Sequence, residues 1–117
     1  MTIRFWACFG LAVLGVGIAG AALAQETSLS DIHDQRREGG RICMSDHFHS
    51  GSSSGSPTRK HAEVAAIRSW ADFTVLEYGS PWGRYTLAAS KSMQCAKESG
   101  GWGCSIEARP CKPRRGR

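Results

Sequence analysis

The sequence predicts an α+β fold: one long helix packed on an antiparallel β-hairpin, with room for a third strand, stapled by two disulfides. Three observations predict it. Apolar residues recur at helical spacing over residues 57–78, and two alternating runs flank a Ser99-Gly100-Gly101 turn. Four cysteines follow an apolar leader, an even set suited to pairing. At 117 residues and 12.6 kDa the chain has length for one small domain, which excludes barrel, doubly wound and hydrolase architectures. A hydrophobic share of 41% with four tryptophans excludes a collagen, a coiled coil or a wholly disordered chain.

Arg4 gives the start of the chain a positive charge, and residues 5–24 form an unbroken apolar run ending in Ala22-Leu23-Ala24. A basic start, an apolar middle and an A-x-A end are the parts of a secretory signal peptide, so residues 1–24 are expected to be removed after Ala24. Twenty apolar residues could also span a bilayer. Against an anchor stand Gly10, Gly15, Gly17 and Gly20, the small residues at the end, and the lack of a positive cluster after it. Removal leaves residues 25–117, 93 in all, in the periplasm or outside the cell. A core that small needs staples, a metal or a partner. Cys8 leaves with the leader. Cys43, Cys95, Cys104 and Cys111 remain, the arithmetic of two disulfides in an oxidising compartment.

Residues 25–56 read as a flexible lead-in and a Gly/Ser loop, interrupted by one apolar segment, Arg41-Ile42-Cys43-Met44, fit for a strand. Residues 57–111 form the small α+β domain and residues 112–117 a basic tail. Ser56 is placed to cap the helix and Pro57 to occupy its first position, where a missing N–H costs nothing. Gly79 ends the helix and Pro81 bars continuation. One helix side carries Ala62, Ala66, Trp70, Phe73 and Leu76 and is expected to meet the hairpin. The other carries Val64, Ile67, Ala71, Val75 and Tyr78. A helix on one sheet needs a single apolar face, so this second face is a candidate interaction surface for a second copy or an envelope protein.

Tyr85, Leu87, Ala89, Met93 and Cys95 share one side of the first alternating run, with Lys91 as the exception. Trp102, Cys104, Ile106 and Ala108 share one side of the second. A loop over residues 98–101 places Cys95 opposite Cys104; a tighter Gly-Gly turn leaves them diagonal on the same face. Either register brings them close, and Cys43–Cys111 then follows by elimination.

The segments Cys43-Met44-Ser45-Asp46-His47-Phe48-His49, Ala65-Ala66-Ile67-Arg68-Ser69-Trp70, Glu77-Tyr78-Gly79, Ala88-Ala89-Ser90-Lys91 and Glu107-Ala108-Arg109-Pro110-Cys111 resemble a group of small exported proteins of alphaproteobacteria. The resemblance covers Cys43 to Cys111. It implies an exported compartment and a helix-plus-hairpin layout, and no reaction or catalytic residue.

Charge is uneven. The formal +5 becomes +4 without the leader, and residues 109–117 hold Arg109, Lys112, Arg114, Arg115 and Arg117 with no acid. The rest of the exported chain is −1, so the basicity belongs to the tail and nucleic-acid binding is not expected. Arg114 and Arg115 suit an anionic envelope surface. Arg59 and Lys60, in the first turn of the helix, suit a phosphate or sulfate. His47 and His49, alternate residues beside Asp46, form a candidate Zn²⁺ or Cu²⁺ site, with Asp46 or His61 completing the shell. Gly51-Ser52-Ser53-Ser54-Gly55 matches G-x-S-x-G, but 93 residues cannot build the sheet a nucleophile elbow needs. No pair among Glu63, Asp72, Glu77 and Glu107 has a spacing for acid–base work. The expectation is a non-enzymatic envelope or periplasmic binding module without cofactor; the alternative is a periplasmic metal-binding protein using His47 and His49.

Overall fold

Among the described residues, alternation and cysteine spacing are satisfied together in two small antiparallel sheets and one α-helix. The computed structural model describes Gly15 and residues 25–114. The predicted signal peptide otherwise, Cys8, and Arg115 to Arg117 of the tail lie outside the described residues. The strands are β1 (Gln35–Glu38), β2 (Arg41–Met44), β3 (His49–Ser52), β4 (Ala89–Glu98), β5 (Gly101–Arg109) and β6 (Cys111–Pro113), with α1 (Arg59–Tyr78) between β3 and β4. One sheet has the order β1-β2-β6 and the other β3-β5-β4. The chain passes between sheets at residues 45–48 and again at Pro110. Among the described residues no helix is long and apolar enough to cross a membrane.

The hairpin β4–β5 takes the register that opposes Cys95 to Cys104 and Met93 to Ile106. Cys95–Cys104 and Cys43–Cys111 are both bridged, each between directly opposed strand residues. Such pairs are those of a chain folded under oxidising conditions. Gly101 sits at φ 120°, and a Cβ there would lie 2.7 Å from the Ser56 carbonyl oxygen, so no other residue fits the turn. Lys91 is accommodated by a register shift between Ala89 and Ser92, where Ser90 adopts φ 51°. The irregularity leaves Lys91 exposed, 5.0 Å from the Tyr85 ring centroid.

Four expectations are corrected here. The helix begins at Arg59, capped by Thr58, whose hydroxyl accepts from His61 N–H at 3.1 Å. Ser56 does not cap it because its N–H and carbonyl both pair with Trp102, at 3.0 and 2.8 Å, while the Thr58 carbonyl accepts the first helical bond, from Ala62 N–H. Residues 85–87 are a 3-10 turn rather than the start of a strand. The lead-in is structured by the pairing of β1, β2 and β6, and the Gly/Ser run contributes β3, the third strand of the hairpin sheet. Finally, the buried helix residues are Ala62, Ala66, Trp70, Thr74 and Tyr78. They stand four apart, and each step of four turns 40° further round the helix at 100° per residue. That drift carries Tyr78 from the proposed outer face into the core and leaves Phe73 and Leu76 exposed.

The core centres on Trp70, packed with Ala62, Ala66, Ala88, Cys104, Ile106 and Ala108; its indole N–H donates to the Ala108 carbonyl at 3.3 Å. The two sheets are tied by Arg109 at the end of β5. Its guanidinium donates to both Glu38 carboxylate oxygens, at 2.5 and 2.8 Å, and to the Met44 carbonyl and the Ser90 hydroxyl. Arg109 holds the Glu38 carboxyl down at about 2, against an ordinary 4.5. A depressed carboxyl contributes stability that is complete above its unfolded pKa and is lost as pH falls through the folded one. Stability should therefore drop between about pH 4.5 and pH 2. Glu38→Gln should cost about 2–3 kcal/mol at pH 7 and flatten that acid limb, read from urea midpoints against pH. An unchanged limb would remove this pair from the account.

Candidate functional site

Burial of polar groups concentrates where the chain crosses between sheets. Three segments meet there: the residues after the 3-10 turn Ser28–Ile32, the link at residues 45–48, and the last turn of α1. They bring His33, His47 and Glu77 together, with one ligand atom of each within 4.8 Å of the others. The three side chains are half-buried. The His33 and His47 rings lie 4.2 Å apart between centroids, and the Tyr78 ring stands 5.7 and 5.9 Å from them. A cleft of about 270 Å³ lined by Ile32, His33, Asp34, Asp46 and His47 opens beside them.

The N-terminal segment reaches this place through backbone pairing. Glu26 bridges to Gly79, Thr27 N–H donates to the Tyr78 carbonyl at 3.0 Å, and the Thr27 hydroxyl donates to the Glu77 carbonyl. These bonds cap the end of α1, whose last carbonyls have no partner within the helix. They also deliver His33 to Glu77.

His49 begins β3 and lies behind the cluster, its side chain 1% exposed and its ring stacked on Tyr78 at 4.8 Å. The Thr74 hydroxyl donates to the Trp70 carbonyl at 2.8 Å and lies 2.9 Å from His49 Nδ1. One hydroxyl carries one proton, so both contacts are made only when Nδ1 bears the hydrogen and donates to Thr74. Burial lowers the His49 pKa well below its ordinary value, although Glu77 pulls the other way, so the ring is neutral at pH 7. Its Nε2 then keeps a lone pair. That atom is 3.0 Å from a Glu77 carboxylate oxygen but makes no aligned hydrogen bond. Burial and the neighbouring His33 also lower the His47 pKa, so that ring too is neutral at pH 7, a form with a ring nitrogen lone pair.

The sequence reading of this place is therefore corrected. His47 joins His33 and Glu77, whereas Asp46 is exposed and His49 is drawn inward by Thr74. His61 sits at the other end of α1, its Nδ1 2.7 Å from the Thr58 hydroxyl. His33 was invisible because it falls in a polar stretch with no periodicity. Glu77 was seen only as an acid without a partner on its own helix. No local spacing relates positions 33, 47 and 77.

The other candidate residues sit on separate elements. Arg59 pairs with Glu63 one turn along α1 at 3.2 Å, and Lys60 beside it is exposed. Arg114 is exposed and its backbone N–H donates to Gly40, on the β1–β2 side. Lys112 bonds Glu26 and lies over the Trp82 ring. Ser53 is structural: its hydroxyl donates to the Ala62 carbonyl at 2.6 Å and accepts from Cys104 N–H at 3.1 Å. On the expected interaction face, Val64 and Val75 are 48% and 40% exposed, Ile67 and Ala71 are half-buried, and Tyr78 is buried.

Fold and cluster define a small, two-sheet, disulfide-stapled α+β domain with histidines and a glutamate gathered at its sheet junction. Compared with known protein families, curated proteins and solved structures, the chain matches none.

Proposed function

We propose that this chain is a non-enzymatic binding module of the periplasm or cell envelope, released from its leader after Ala24, that docks another protein on the outer side of α1. The observation that carries the reading is the Val64–Ile67–Ala71–Val75 stripe. Its spacings of three and four residues keep it on one helix side, and its ends remain 48% and 40% exposed although the core ridge beside it is filled. A domain of this size gains from covering such a stripe with a partner, and a second copy or an envelope protein would serve. The two disulfides are consistent with the exported compartment.

A photo-crosslinking side chain placed at Val64 should give a discrete adduct in the cell envelope, its mass distinguishing a second copy from another protein. The same group at Asp72, on the polar side of the helix, should give none. Val64→Asp should abolish any self-association seen by native mass spectrometry while leaving both disulfides formed. Equal labelling from positions 64 and 72 would sink the reading.

A further inference from the structure

Nothing in the docking reading uses the cluster at the sheet junction, and its chemistry is specific. His49 Nε2, on a side chain 1% exposed, lies 3.0 Å from a Glu77 carboxylate oxygen without an aligned hydrogen bond. Two further imidazoles converge on the same carboxylate, with ligand atoms of His33, His47 and Glu77 all within 4.8 Å of one another. His33, His47 and Glu77 come from three distant segments, and two imidazoles with one carboxylate are a donor set suited to a cation. The cleft lined by His33 and His47 supplies an entry path from solvent.

We propose that His33, His47 and Glu77, backed by His49, form a site for a borderline divalent ion, Zn²⁺ or Cu²⁺. Two imidazole nitrogens and a carboxylate are the donors these ions take, whereas Ca²⁺ and Mg²⁺ ask for oxygen alone. The ion joins the N-terminal segment, the link between sheets and the end of α1. It is therefore a third cross-link in a chain whose two disulfides both lie elsewhere. Because it binds the folded chain and not the unfolded one, it raises the melting temperature.

The test uses untagged exported protein stripped with chelator, then titrated separately with ZnCl₂ and CuCl₂ and read by native mass spectrometry and calorimetry. One ion per chain is expected, with a rise in Tm of about 5 °C or more at saturation. His33→Ala, His47→Ala and Glu77→Gln should each weaken binding at least tenfold, while His61→Ala leaves it unchanged. The Cu²⁺ electron paramagnetic resonance spectrum should lose one coupled nitrogen in His33→Ala and in His47→Ala. Circular dichroism with both disulfides intact identifies variants that still fold, and the conservative Glu77→Gln keeps side-chain shape. Absence of binding by the native chain overturns the proposal. So does binding that survives in the His33→Ala/His47→Ala double variant, which would mark an adventitious ion only.

Discussion

Replacing Cys43 and Cys111 together by alanine is expected to cost about 4 kcal/mol, the largest loss from any pair of substitutions considered. The bridge spans 68 residues and crosses from β2 to β6, so its removal frees almost the whole domain in the unfolded state. Cys95–Cys104 spans 9 residues within one hairpin, and the same chain-entropy argument gives about 2.5 kcal/mol for it. The order of the two losses is the discriminating result. Urea denaturation under oxidising conditions, followed by tryptophan fluorescence, should show the Cys43→Ala/Cys111→Ala variant much the weaker. Equal losses would mean that strand packing, not loop closure, sets the effect. The sheet that loses its bridge is small: Cys43, Ala89 and Cys111 form its buried cluster, with Leu87 against them. Besides the bridge, β6 is held by its pairing with β2 and by Lys112, which bonds Glu26 and lies over the Trp82 ring.

Gly51→Ala should cost about 3 kcal/mol, at or above the top of the usual overpacking range. A Cβ at Gly51 would lie 2.5 Å from the Ala66 carbonyl oxygen and 2.7 Å from Trp70 N and Cβ. These are backbone and near-backbone atoms of α1, so relief requires moving the helix off β3 rather than turning a side chain. Trp70 is the centre of the core, and its displacement is felt throughout. Gly100→Ala is the control, because a Cβ there has nothing within 4 Å, and it should change stability by less than about 0.5 kcal/mol. Thermal unfolding of the two variants side by side checks the contrast, and similar melting temperatures would refute the close helix approach.

Gly51 also shows why part of the fold was not legible beforehand. A Gly/Ser run reads as a loop when composition alone is judged, since glycine weakens an isolated strand. In the folded protein the same smallness is what allows α1 to lie directly on β3, and pairing with β5 supplies the hydrogen bonds. Phe73, Leu76 and Tyr78 make the same point for the helix. Their periodicity puts them on apolar sides, but only the drifting ridge of Ala62, Ala66, Trp70, Thr74 and Tyr78 decides which side meets the sheet. Thr74 could not be recognised as a core residue because its burial depends on hydrogen bonds to Trp70 and His49.

By itself the sequence determined the α+β class, the helix end at Gly79, the hairpin turn at Ser99-Gly100-Gly101, and the pairing of the four cysteines, while leaving two hairpin registers open. The first three follow from periodicity or spacing within a short stretch. The pairing follows because either register brings Cys95 near Cys104 and leaves Cys43 to Cys111, and the folded hairpin takes the directly opposed one. Only the tertiary structure decided the second sheet, the strand in the Gly/Ser run, and the meeting of His33, His47 and Glu77. Those depend on contacts between segments tens of residues apart. No local pattern records such a contact, because its free energy arises only when the separate elements pack.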